Sequence, residues 1–210
     1  MDKKKKAVII VAVAAIAAVA TYFGVTYFLD RDLEQQESEL KKLEQETVET
    51  KSGRVVETEL YNIADGEFYV KIPVDFTQMS QELLAKKYPA GNLPSYAFSN
   101  EDGTINVVFN VTEDSMTDEE IEPFIESMAN LSTTTDSTKP ETSVSENSGH
   151  VIGSIKMTTP AADTDIYNNM IIFAVDGKLR IVSFNCTEEL REEWENVGDF
   201  IIESLHFPVE

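Results

Sequence analysis

Residues 7–29 run for 23 positions without a charged side chain, directly behind four lysines, Lys3, Lys4, Lys5 and Lys6. This run constrains the chain more than any other stretch. As a helix it reaches roughly 34 Å, enough for a hydrocarbon core of about 30 Å. A helix is also the form that satisfies every backbone polar group in lipid. The flank after the run opens Asp30-Arg31-Asp32 and is acidic. The positive-inside rule therefore places residues 1–6 in the cytoplasm and residues 30–210 outside. Tyr22, Phe23, Tyr27 and Phe28 gather at the outer end, where an aromatic belt sits.

The rival reading of this stretch is a cleaved signal peptide, with Ala18-Val19-Ala20 as an A-x-A cleavage site. The apolar run continues through Phe28, past the point where a cleaved peptide turns polar, which favours a retained anchor. No cysteine lies near residue 20, so attachment by a lipid-modified cysteine is excluded.

Charge divides along the same line. The whole chain carries −21 and residues 1–29 contribute +3, which leaves −24 on residues 30–210. An exterior this acidic repels nucleic acid and anionic membrane surfaces. Cys186 is the single cysteine, so neither an intramolecular disulfide nor a cysteine metal cluster can form. An exported, disulfide-free domain behind a lysine-led anchor fits a Gram-positive bacterium.

Residues 30–52 are rich in helix formers and contain neither Gly nor Pro. Leu33, Leu40 and Leu43 give a thin stripe, and Glu37 with Lys41 is a favourable i,i+4 pair. The expectation is a helical stalk, about 30 Å long, that continues the membrane helix and self-associates weakly. Gly53 ends it.

Residues 53–210 read as one α+β domain. Alternating apolar residues predict strands over 55–61, 68–72, 96–99, 105–111, 150–159, 166–175 and 178–186. Asp65-Gly66, Asp102-Gly103 and Asp176-Gly177 separate successive pairs, and Asp-Gly is a strong hairpin signal because its glycine accepts the positive φ of the turn. Ser80 predicts the N-cap of a short helix ending before Pro89. Thr117-x-x-Glu120 is a capping-box pattern ahead of an Ile121, Phe124, Ile125, Met128, Ala129 stripe. Pro123 leaves two options, a kinked helix or a helix starting near Glu122. A last helix over 188–205, with Thr187 as its N-cap, buries Leu190, Trp194, Val197, Ile201 and Leu205.

In residues 132–148, ten of seventeen side chains are Ser or Thr and Val144 alone is apolar, so a flexible loop is expected. The resulting order is ββα-ββα-loop-βββα, one antiparallel sheet of about six or seven strands packed with helices.

That order, together with Ala85-Lys86-Lys87-Tyr88-Pro89 and Tyr96-Ala97-Phe98-Ser99-Asn100-Glu101-Asp102-Gly103-Thr104-Ile105-Asn106, resembles the PsbP-like fold. The fold includes a photosystem extrinsic protein, a nuclear-import factor that binds the GTPase Ran, and small bacterial exported proteins of unknown role. The resemblance covers roughly residues 54–207 and implies a curved antiparallel sheet between helices, with a binding or accessory role.

No catalytic signature stands out. His150 and His206 lie in different elements, and no His-x-x-x-His or His/Cys cluster marks a metal site. No Gly-x-Ser-x-Gly, Ser-x-x-Lys or phosphate-cradling glycine loop is present. No cofactor is expected. Tyr88, Pro89, Leu93, Pro94 and Tyr96 crowd one loop and are the candidate contacts for a protein partner, since loops on a rigid scaffold often carry recognition. The leading expectation is a non-catalytic binding or assembly module. The alternatives are an anchored or secreted hydrolase with an unrecognised site, and a subunit of an envelope complex.

Overall fold

A computed structural model describes residues 45–88, 93–132, 139–161 and 164–208. The expected cytoplasmic tail, the membrane span and the stalk as far as residue 44 lie outside the described residues. Among the described residues no helix is long and apolar enough to cross a membrane.

The first element corrects the stalk. Residues 45–49, expected to be helical, form strand β1 (Gln45–Glu49), antiparallel to β2 (Val55–Ile63). Tertiary contacts override the local helix preference. Thr58 Oγ1 donates to the Glu46 carbonyl at 2.8 Å, and the buried Lys71 ammonium pairs with the Glu46 carboxylate. Val48 leans against the main core. Beyond the strand, Ser52 Oγ donates to Glu193 Oε1 at 2.5 Å.

The hairpins read from the sequence are present. β2 turns through Ala64–Gly66 into β3 (Phe68–Pro73), and β4 (Thr77–Gln78) leads to α1 (Gln81–Lys87). β5 (Tyr96–Ser99) pairs with β6 (Ile105–Ser115), which runs into α2 (Asp118–Ser132). β7 (Glu141–Asn147), β8 (His150–Thr159), β9 (Ile166–Val175) and β10 (Lys178–Thr187) form a meander that ends in α3 (Glu188–Glu203).

Two sheets result where one was expected: a three-stranded sheet β1-β2-β3 and a seven-stranded sheet β4-β5-β6-β10-β9-β8-β7, antiparallel throughout. The flexible loop is also corrected. Residues 141–147 are an edge strand joined to β8 by Ser148-Gly149, both with positive φ. An edge strand needs only backbone pairing on one side, so its side chains stay exposed and polar, and no apolar alternation announces it.

The caps follow the sequence reading in part. Ser80 Oγ accepts from the Leu83 amide at 3.2 Å, and the Thr117 amide donates to Glu120 Oε2 at 2.9 Å. Thr187 stands at the N-cap of α3, but its hydroxyl makes no capping bond there. Pro123 lies inside α2, which starts at Asp118, the first of the two options.

The large sheet is covered on both faces, which is why β9 reads as a nearly continuous apolar run. On one face Phe98, Phe109, Phe173, Val182 and Phe184 meet the small sheet through Ile63, Phe68 and Val70, and meet α3 through Trp194, Val197 and Ile201. Phe68 sits edge-on to Phe173, with ring centroids 5.1 Å apart. On the other face α2 lays Ile121 and Ile125 over Ile155, Met170 and Ile172, while α1 places Leu84 over Ala97 and Val108. Two glycines let the helices come this close. A Cβ on Gly198 would meet Phe184 Cδ1 at 2.4 Å, and one on Gly153 would meet Ile121 Cγ2 at 2.7 Å.

Candidate functional site

The five residues of the expected recognition loop do not form one patch. Tyr88 packs with Met79, Leu84, Ala97 and Val108 on the α1 face of the large sheet. Tyr96 leans on the opposite face, against the core between the two sheets. Their separation follows from strand alternation: Ala97 faces α1, so Tyr96 and Phe98 face the small sheet. Pro94 is buried, Leu93 is 49% exposed, and Pro89 lies outside the described residues.

The Tyr88 ring has apolar company, and its hydroxyl end is closed off. Its hydroxyl is buried without a hydrogen-bond partner among the described residues. Burial pushes the phenol pKa up, and the nearby Asn185 side chain acts in the opposite direction without reaching hydrogen-bond geometry. Beside it Lys87 Nζ donates to the Gly103 carbonyl at 2.5 Å and to Asn106 Oδ1 at 2.7 Å. Asn106 Nδ2 in turn donates to Asn185 Oδ1 at 2.8 Å. Asn100 Oδ1 accepts from the Thr104 and Ile105 amides at 2.9 and 3.0 Å, so the Asn100–Gly103 segment is a side-chain-braced hairpin turn.

Tyr96, by contrast, lines an open cleft of about 530 Å³ between the β2–β3 turn and the β4–β5 edge. Tyr61 and Tyr96 supply its aromatic surface over the buried Phe98. Asp65 and Gln78 are exposed polar residues in its lining, and Asn62 lines it with the Asn62 amide beside Gly66 and Tyr69. Tyr61 and Phe98 meet edge to face with centroids 4.8 Å apart. The Tyr61 hydroxyl donates to Glu59 Oε1 at 2.8 Å, which fixes the ring. Burial, and then this carboxylate, push the Tyr61 pKa up. The wall nearest Asp65 is strained, because Ala64 and Asp65 both hold left-handed backbone, φ 53° and 56°, ahead of Gly66 at 95°. Each non-glycine residue there costs on the order of 1–2 kcal/mol. Strain of this kind collects where geometry serves function. Tyr96 belonged to the expected site. Tyr61, Asn62, Asp65 and Gln78 did not, because their approach depends on how the small sheet packs on the large one.

A second cavity, of about 660 Å³, brings together both histidines of the chain, with Glu67, Asp176 and Phe207. His150 stacks on Phe207 with centroids 4.0 Å apart, and its Nδ1 lies 3.0 Å from the Ala174 carbonyl, so that nitrogen carries the proton. His206 arrives because its backbone pairs with Tyr69 of β3. Among the described residues no three His, Cys, Asp or Glu side chains come together to hold a metal ion. Glu67 in the cavity lining is held by the buried Arg180 in a two-toothed pair, Nε to Oε2 at 2.6 Å and Nη2 to Oε1 at 2.9 Å.

Cys186 is fully buried in the core, and burial, reinforced by Glu188, pushes its thiol up to about 12. A thiol held neutral in this way is no nucleophile at neutral pH. Nor do the histidines reach it. Cys186 pairs with Tyr167 at one end of β9, whereas His150 contacts Ala174, seven residues along that strand and thus roughly 23 Å away.

No family model matches the sequence, and no curated protein matches it. Solved structures do resemble it. One is the solution structure of cyanobacterial PsbP from Synechocystis sp. PCC 6803, 12% identical over 72% of this chain and 92% of that one, with a TM-score of 0.49. Another is a protein of unknown function from Pseudomonas aeruginosa, 9% identical over 73% of this chain and 98% of that one, with a TM-score of 0.39. The first carries the name of the fold that the sequence resembles. At these identities and TM-scores the likeness brings no ligand, activity or partner to this chain.

Proposed function

We propose that this chain is a membrane-anchored binding module that holds its α+β domain outside the membrane and takes its ligand in the Tyr61–Tyr96–Phe98 cleft. The cleft is the observation that carries the reading: an open concavity lined by aromatic side chains and a few polar ones has the character of a binding site. The lysine-led uncharged run supports the anchor and its direction. β1 starts at Gln45, so the stalk expected over residues 30–52 has no helix from residue 45 on, and residues 30–44 lie outside the described residues.

Two measurements test this on the full-length chain in its own cells. Protease added to intact, wall-less cells removes the domain and leaves a short membrane fragment; a protected domain overturns the orientation. Crosslinking followed by affinity capture recovers a cell-surface ligand from the parent chain and fails with Tyr96→Ala. Equal recovery from the parent and from Tyr96→Ala overturns the cleft as the binding site.

A further inference from the structure

Resting on that binding reading, we infer that the ligand of the cleft is a neutral oligosaccharide. Three features of the lining point to this chemistry. Tyr61 and Tyr96, both half-buried, offer apolar aromatic surface, against which the C–H faces of a sugar ring pack, with the buried Phe98 behind Tyr61. Tyr61 is tethered to Glu59, and the Tyr61–Phe98 contact braces it further, so little side-chain entropy is lost on binding.

Asp65 and Gln78 are exposed polar residues that line the cleft, one with a carboxylate and one with an amide. Amides donate and accept at once, and an ionised carboxylate accepts two or more bonds. Sugar hydroxyls also donate and accept, and adjacent pairs of them match such side chains. A proline-rich segment, the other ligand suited to tyrosine-lined grooves, presents carbonyls and lacks amide N–H groups at its prolines, so the Asp65 carboxylate would find few donors there.

Among the described residues no lysine, arginine or histidine lines the cleft, and the chain outside residues 1–29 carries −24. An anionic glycan would therefore meet repulsion with nothing to neutralise it. The strained Ala64-Asp65 backbone sets the position of the Asp65 carboxylate in the wall, and that geometry serves a ligand with fixed hydroxyl positions.

The test uses the full-length chain in a sugar-free detergent, on an array of neutral and acidic oligosaccharides, with decaproline as a separate probe. The expected result is binding to one or more neutral oligosaccharides, weakened about tenfold or more by Tyr96→Ala. Gln78→Ala removes an exposed side chain outside the core and guards against misfolding; it is expected to weaken the same binding. Binding only to acidic glycans or to decaproline, lost in Tyr96→Ala, overturns the ligand class and leaves the binding reading standing. Neutral-glycan binding unchanged by both substitutions overturns the assignment to this cleft. No Tyr96-dependent binding to any probe overturns the inference, and if cellular capture is also independent of Tyr96, the binding reading falls with it.

Discussion

Arg180 has a side chain only 2% exposed, yet it carries a full charge, and its surroundings explain how that is tolerated. β6 and β10 lose register between Lys178 and Arg180, a bulge that leaves strand carbonyls without ladder partners. Arg180 Nη1 donates to two of them, Thr112 O at 2.7 Å and Leu179 O at 3.0 Å. Glu67, at the start of β3, takes the other two donors and ties the small sheet to the large one. Glu67→Ala leaves the guanidinium buried without a counter-charge. Breaking a buried pair in this way costs about 3–5 kcal/mol. Glu67 is 29% exposed, so water can enter the gap, and the low end, about 3 kcal/mol, is expected. For a domain of this size that lowers Tm by about 6–12 °C. Arg180→Met removes the charge itself. Leu179 O keeps the Thr112 hydroxyl at 3.2 Å, so Thr112 O is the carbonyl left alone, at a cost of about 1–3 kcal/mol. The Glu67→Ala/Arg180→Met double variant should therefore resemble Arg180→Met and be more stable than Glu67→Ala. Urea unfolding followed by circular dichroism measures all three. A Glu67→Ala loss below about 1 kcal/mol, or a double variant that shows the sum of the single losses, refutes this reasoning.

Two further predictions concern the core. Cys186 should not react with a thiol reagent at pH 8 in the native protein and should react fully on unfolding; rapid native reaction contradicts its burial. Its folded pKa lies above the ordinary thiol value of 9.0, so its contribution to stability is intact below pH 9 and is lost as pH rises toward about 12, a loss that Cys186→Ala should remove from the pH profile. Gly198→Ala improves helix propensity by about 1 kcal/mol but drives a methyl group into the buried Phe184 ring. Overpacking costs about 1–3 kcal/mol, so net destabilisation is expected in a thermal melt, and stabilisation contradicts the packing described for α3.

Much of the architecture was legible because it is local. Alternation in Ile105, Val107 and Phe109, the Asp-Gly turns, and the stripe Leu190–Trp194–Val197–Ile201 each encode an element without reference to the rest of the chain. β1 was not legible: its glutamates and glutamine favour a helix locally, and only Lys71, Thr58 and the α3 contacts make it a strand. β7 hid for the opposite reason, since an exposed edge strand needs no apolar residue; Ser148-Gly149 after Thr142 and Val144 was its one signal. Of the residues lining the cleft, the sequence singled out Tyr96 alone, as a candidate contact, and alternation along β5 sends it away from Tyr88. Its partners Tyr61 and Asp65 arrive from a hairpin whose packing is a long-range event. The meeting of His150 with His206 hangs on a single backbone pairing to Tyr69.

The most direct test of the account places a photo-crosslinking amino acid at position 78, inside the cleft, and in a second chain at position 144, on the exposed edge of β7. Both full-length chains are expressed in the native cells and irradiated. The account predicts a discrete crosslinked product from position 78 that disappears with Tyr96→Ala, and none from position 144. A product from position 144 alone, or one from position 78 that persists in Tyr96→Ala, would contradict it.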